Sequence, residues 1–111
     1  MQRIWGVLIA MLVALVPVAA SATYNANGGF SVTGVLTYTD TDSIYITVSS
    51  PPAHSGCSNA FFVIPATTTP DRRKILLARL LLAKATNESV NFGYDGTGDC
   101  ADGYIRVHRI G

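Results

Sequence analysis

One helix-forming stretch, Thr69 to Thr86, sits among segments that otherwise read as strands and turns, three strands before it and two after it. Thr69 is placed to cap the helix with its side-chain oxygen, and Pro70 fits the first helical position, where no amide hydrogen is needed. Asp71 lies near the positive end of the helix dipole. Leu and Ala then dominate, with no Gly or Pro until Asn87 and a β-like run end the helix.

The strands follow from period-two alternation. Thr23 to Gly29 has no apolar period and reads as a flexible arm or turn. From Phe30 to Tyr38, the residues Phe30, Val32, Leu36 and Tyr38 share one face with Gly34 at its middle, and Ser31, Thr33 and Thr37 lie opposite. An interior Gly at that point predicts a bend or bulge. Thr39 to Asp42 is a polar hairpin connection to Ser43–Ser49, whose Ile44, Ile46 and Val48 face inward. After a loop rich in Pro and Gly, Ala60 to Ile64 reads as a short strand covered on both sides. Beyond the helix, Ser89–Tyr94 turns Val90, Phe92 and Tyr94 to one face. Asp95 to Asp99 forms a turn, and the last strand, from about Asp102 to Ile110, contributes Ile105 and Val107 to the core. The fold expected is mainly β, a β-barrel with one helix. Five strands with a helix between the third and fourth is the order of an OB-fold, a small Greek-key barrel whose helix plugs one end. An open sandwich with the helix on one sheet face is the alternative.

Residues 1–22 read as an export signal. Arg3 supplies a positive start, Ile4 to Val18 an apolar run interrupted by Gly6 and Pro17, and Ala20-Ser21-Ala22 a small-x-small cleavage site before Thr23. A retained membrane anchor is the other reading, opposed by Pro17 and the cleavage triplet. Without these 22 residues 89 of the 111 remain. Arg3 leaves with them, so seven basic residues balance seven acidic ones. That neutrality argues against nucleic acid, whose binding depends on Lys and Arg against phosphates. A domain of this size has a small core, and exported domains often add a covalent staple. With two cysteines, Cys57 and Cys100, one intramolecular disulfide is available. Two free thiols or a metal-binding pair are the alternative. The expected compartment is periplasmic or extracellular, with no membrane span after signal cleavage.

Two features bear on function. The helix has more apolar surface than a barrel plug needs: Ile75, Ala78, Leu81, Leu82 and Ala85 form one arc, and Leu76, Leu77, Leu80 and Ala83 cover much of the other side. Leu76, Leu77 and Leu80 are taken as the excess, expected at an interface with another subunit or partner protein. The second feature is a set of tyrosines beside acidic loops. Tyr38, Tyr45, Tyr94 and Tyr104 flank the loops that carry Asp40, Asp42 and Asp95, on the face where OB-folds meet their ligands. Aromatic rings pack on the apolar faces of sugars, and short polar groups bond their hydroxyls, so these seven residues are the expected glycan site. His54 and His108 stand in no nucleophile motif, and the acidic loops lack the twelve-residue pattern of an EF-type calcium loop. No catalytic residue, metal or cofactor is assigned, and the chain is not read as an enzyme.

One combination carries a resemblance: the signal, the long first hairpin, a cysteine before the third strand, the run Arg73 to Ala85, the segment Glu88-Ser89-Val90-Asn91-Phe92, and Cys100 followed by Gly103-Tyr104-Ile105-Arg106-Val107. It resembles a group of small exported bacterial proteins and, in pattern, the sugar-binding B subunits of pertussis-like and subtilase-type AB toxins. The resemblance implies an OB-fold, glycan recognition on the barrel face, and a ring of five subunits whose helices line a central pore. The function expected is a binding module that displays weak glycan sites multivalently. The alternative is an envelope module that inhibits or assembles another protein without sugar binding.

Overall fold

A computed structural model describes residues 24–111. The proposed signal lies outside the described residues. The order of elements is β1 (Ala26–Thr37), β2 (Ile44–Val48), β3 (Ser58–Ile64), α1 (Pro70–Thr86), β4 (Ser89–Tyr94), β5 (Cys100–Ala101) and β6 (Tyr104–Ile110). β1 pairs antiparallel with both β2 and β4, β2 with β3, and β4 with β6. A parallel pairing of β3 with β6 closes the circle. The result is a closed five-stranded barrel with the helix between its third and fourth strands, the OB-fold arrangement, and β5 is a two-residue addition paired to β6. Among the described residues, no helix is long and apolar enough to cross a membrane.

Three sequence expectations about the strands change. Ala26 to Gly29 is not a flexible arm: it opens β1 and pairs with Gly93 and Tyr94 at one end and Asn91 and Phe92 at the other. With two glycines and an asparagine it has no apolar period to reveal a strand, and its order comes from β4. The expected bulge is present between Val32 and Gly34. Beyond it the alternation reverses, so Val35, opposite Ile46, packs on the core, and Leu36 pairs with Tyr45 on the outer face. A side chain at Gly34 would meet the Thr47 hydroxyl at 2.6 Å, which is why the bend needs glycine. In β6 a second shift leaves His108 unpaired between Val107, opposite Tyr94, and Arg109, opposite Gly93. Ile110 thereby joins the core with Ile105 and Val107.

The core is aromatic at its centre. The Phe62 ring lies 5.1 Å from Phe30, 4.9 Å from Phe92 and 5.3 Å from Tyr94. Ile44, Ile46 and Val48 complete it from β2, with Leu80 and Ala83 from the helix. The expected two-sided cover of β3 holds at its end, where Phe62, Val63 and Ile64 are all buried.

The helix meets the barrel through the side expected to face a partner. Leu80 is fully buried, and Leu76 and Leu77 pack against the core. The arc left in solvent is Ile75, Ala78, Leu81, Leu82 and Ala85. Periodicity separated the two arcs, but which of them docks depends on where the barrel lies. At the helix start Thr69 occupies the cap position with Pro70 after it, but its side chain makes no capping bond. The guanidinium of Arg73 instead donates to the carbonyl of Thr68 at 2.7 Å, fixing the entry loop. At the other end Asn87 adopts the left-handed conformation, and the amide of Glu88 donates to the carbonyl of Ala83.

Cys57 and Cys100 form the expected disulfide, with their Cα atoms 5.6 Å apart. Beside it His54 joins two loops. Its Nδ1 accepts from the amides of Gly56 and Cys57, so Nε2 carries the proton and donates to the Asp95 carbonyl. A Cβ on Gly56 would stand 2.4 Å from the Thr97 carbonyl oxygen, so these loops approach as closely as backbone allows.

Candidate functional site

Four rings from four parts of the chain meet on the outer wall of the barrel: Tyr38 just past β1, Tyr45 in β2, Phe61 in β3 and Tyr104 at the start of β6. Each packs edge-on to its neighbours. Tyr38 and Tyr45 are 5.4 Å apart at 88°, Tyr45 and Phe61 5.5 Å at 83°, and Phe61 and Tyr104 5.0 Å at 90°. The T-shaped order suits the quadrupoles of the rings and fixes them as a unit. With Asp40 and Thr41 they line an open concavity of about 340 Å³.

Local sequence explains how the rings arrive. Tyr45 alternates with the inward Ile44 and Ile46, so it faces out. Phe61 precedes the inward Phe62, and the β3–β6 pairing passes from Ser58 directly to Phe62, leaving residues 59–61 free of β6. Tyr104 follows a tight turn in which Asp102 and Gly103 both take positive φ, 54° and 83°. Asp-Gly is the pair that such a hairpin turn favours. The turn brings Asp102 within reach of β2, and the Tyr45 hydroxyl donates to its Oδ2 at 2.7 Å.

That bond, followed by burial and the charge of Asp102, pushes the Tyr45 hydroxyl up to about 12. Because the folded value lies above the unfolded one, the contribution of the bond is complete below the ordinary tyrosine value and is lost as pH rises through about 12. In an alkaline titration followed by phenolate absorbance, one tyrosine of the folded protein is expected to ionise late. Asp102→Asn should return it toward the ordinary tyrosine value. An unchanged titration curve in that variant would remove the assigned cause.

Of the seven residues expected at the site, Tyr38, Asp40, Tyr45 and Tyr104 come together. Asp42 lies in the adjoining concavity, facing Arg73 at 3.8 Å. Tyr94 is a correction: it is 8 % exposed and packs in the core against Phe30 and Phe62, as the third inward residue of β4 after Val90 and Phe92. Asp95 is also elsewhere. Its Oδ1 accepts from the Thr97 amide, the Thr97 hydroxyl and the Gly98 amide, bonds that hold its carboxyl below the usual value and make it the anchor of its own turn. Phe61, Thr41 and Asp102 join the site without having been singled out. Strict alternation from Phe62 would have placed Phe61 outside, but the apolar run Ala60–Ile64 hid that signal.

The second histidine belongs to a separate polar cluster. His108 contacts Asp99, which also faces Arg106 at 3.8 Å, and Tyr24 stacks on the imidazole at 5.7 Å. The chain matches no family model, and no curated protein and no solved structure is detectably similar to it.

Proposed function

We propose that the protein is an exported binding module that recognises carbohydrate on the aromatic face of its barrel. The observation that carries this reading is the convergence of Tyr38, Tyr45, Phe61 and Tyr104 with Asp40 and Asp102 beside them. Ring faces suit the C–H faces of pyranosides, and the carboxylates and the Thr41 hydroxyl offer bonds to sugar hydroxyls. The two carboxylates repel phosphate, which favours a neutral ligand over a nucleic acid strand. The Cys57–Cys100 disulfide supports an oxidising compartment, periplasmic or extracellular. An open concavity gives weak single-site affinity, so useful retention on a glycan surface rests on several sites acting together.

A glycan array probed with the protein, followed by titration calorimetry on the best binder, tests the reading. Tyr104→Ala and Phe61→Ala are each expected to weaken binding by about tenfold or more, the loss of one stacked ring, while leaving the fold intact. An array without a binder, or a binder indifferent to both substitutions, overturns it. A second reading, an envelope module acting on another protein, draws support from the apolar outer arc of α1.

A further inference from the structure

Along the outer side of α1, Ile75, Ala78, Leu82 and Ala85 follow one another at alternating short and long helical spacings. This is the seam by which one helix packs lengthwise on another. Ile75 is 64 % and Leu82 55 % exposed, and Leu81, 49 % exposed, lies along one edge of the seam. Arg72 and Arg79 lie along the other edge.

We propose that a second copy of the same chain covers this seam, its helix antiparallel to the first about a two-fold axis. Side-chain size selects that direction. Antiparallel pairing sets Ile75 against the partner's Ala85 and Ala78 against the partner's Leu82, so every layer joins one large and one small side chain. A parallel pair would set Ile75 and Leu82 each against its own counterpart and leave the alanine layers empty.

Charge selects it too. Glu88 lies on the Arg79 edge, since Arg79 Nη1 reaches its Oε1 at 2.8 Å. In the antiparallel pair the Arg72 at the start of one helix lies beside the partner's Glu88 at the end of the other, and this happens twice. Arg79 lies near its counterpart across the axis, each drawn toward its own Glu88. A parallel pair would leave Arg72 at the opposite end of the helix from the partner's Glu88, so that contact would be lost. The helix dipoles also oppose one another only in the antiparallel case. A two-fold pair thus departs from the parallel ring of five that the toxin-subunit resemblance implies. It lies on a different face from the aromatic concavity and stands whether or not that concavity binds sugar.

Sedimentation equilibrium of the protein purified from an exporting host is expected to show a monomer–dimer equilibrium. A single helix seam is smaller than the roughly 800 Å² per partner of a standard interface, so the dissociation constant should fall at about 1 to 100 µM. Leu82→Glu places two carboxylates in each dimer and is expected to weaken it by about 100-fold or more. Measured well below the wild-type dissociation constant, its thermal midpoint should not move, because the residue is exposed in the single copy. Leu81→Cys, which flanks the axis, should cross-link to its counterpart under mild oxidation, and Ile75→Cys should not. A chain that stays monomeric at about 1 mM, a closed ring of more than two copies, or cross-linking by Ile75→Cys instead of Leu81→Cys overturns the proposal.

Discussion

Phe62→Ala is expected to lower the stability of the barrel by about 3 to 5 kcal/mol, the cost of removing a large buried aromatic and leaving a cavity. Phe62 is 1 % exposed, and its ring is the one that Phe30, Phe92 and Tyr94 all contact. These partners come from β1 and β4, so the cavity would open at the junction of three strands and could not close by moving any one of them. A domain of this length is expected to have about 5 to 10 kcal/mol in total, so the loss would take roughly half. Urea denaturation should show the midpoint falling with an unchanged slope. Phe62→Leu keeps most of the volume and should cost about 1.5 kcal/mol or less. The neighbouring Phe61→Ala should change stability far less and affect ligand binding instead. Equal losses at the two positions would contradict the assignment of one ring to the core and the other to the outer aromatic wall.

Reducing the Cys57–Cys100 disulfide, or replacing both cysteines with Ala, is expected to cost about 4 kcal/mol in the chain-entropy model. The bond joins residues 43 apart in sequence, spanning β3, the helix and β4, so in the unfolded chain it closes a loop through about half of the described chain. The native state supplies its own support at that point, through the His54 bonds to Gly56, Cys57 and Asp95 and the close approach of Gly56 to Thr97. The reduced protein should therefore keep the same fold, with a lower denaturation midpoint and less protected amides in the 54–57 and 95–100 loops. A midpoint that does not move on reduction would show that the loops are held by these bonds alone.

Both effects concern features that were partly legible beforehand. The cysteine pairing followed from there being one available pair, and Ile44, Ile46, Val48, Val90, Phe92, Ile105 and Val107 were identifiable as core from alternation alone. The outer aromatic wall was half visible. Tyr38, Tyr45 and Tyr104 could be grouped because they flank two loops, but Tyr94 belonged to the same pattern and is buried. Phe61 and Asp102 enter the wall through a break in strand pairing and a positive-φ turn, neither of which alternation reports.

By itself the sequence determined the positions of most of the strands and of the helix, the disulfide partners, and the presence of two apolar arcs on the helix. These are local properties, set by the repeat of a strand or helix and by the count of cysteines. Tertiary structure alone decided the rest. It ordered Ala26–Gly29 by offering β4 as a partner, and it turned Val35 and Ile110 inward by bulges whose position depends on the opposing strand. It also closed the barrel through β3 and β6, and it chose Leu76, Leu77 and Leu80 over Ile75 and Leu82 as the buried face. In each case the free energy comes from a surface distant in sequence, and periodicity within a segment carries no information about which surface that will be.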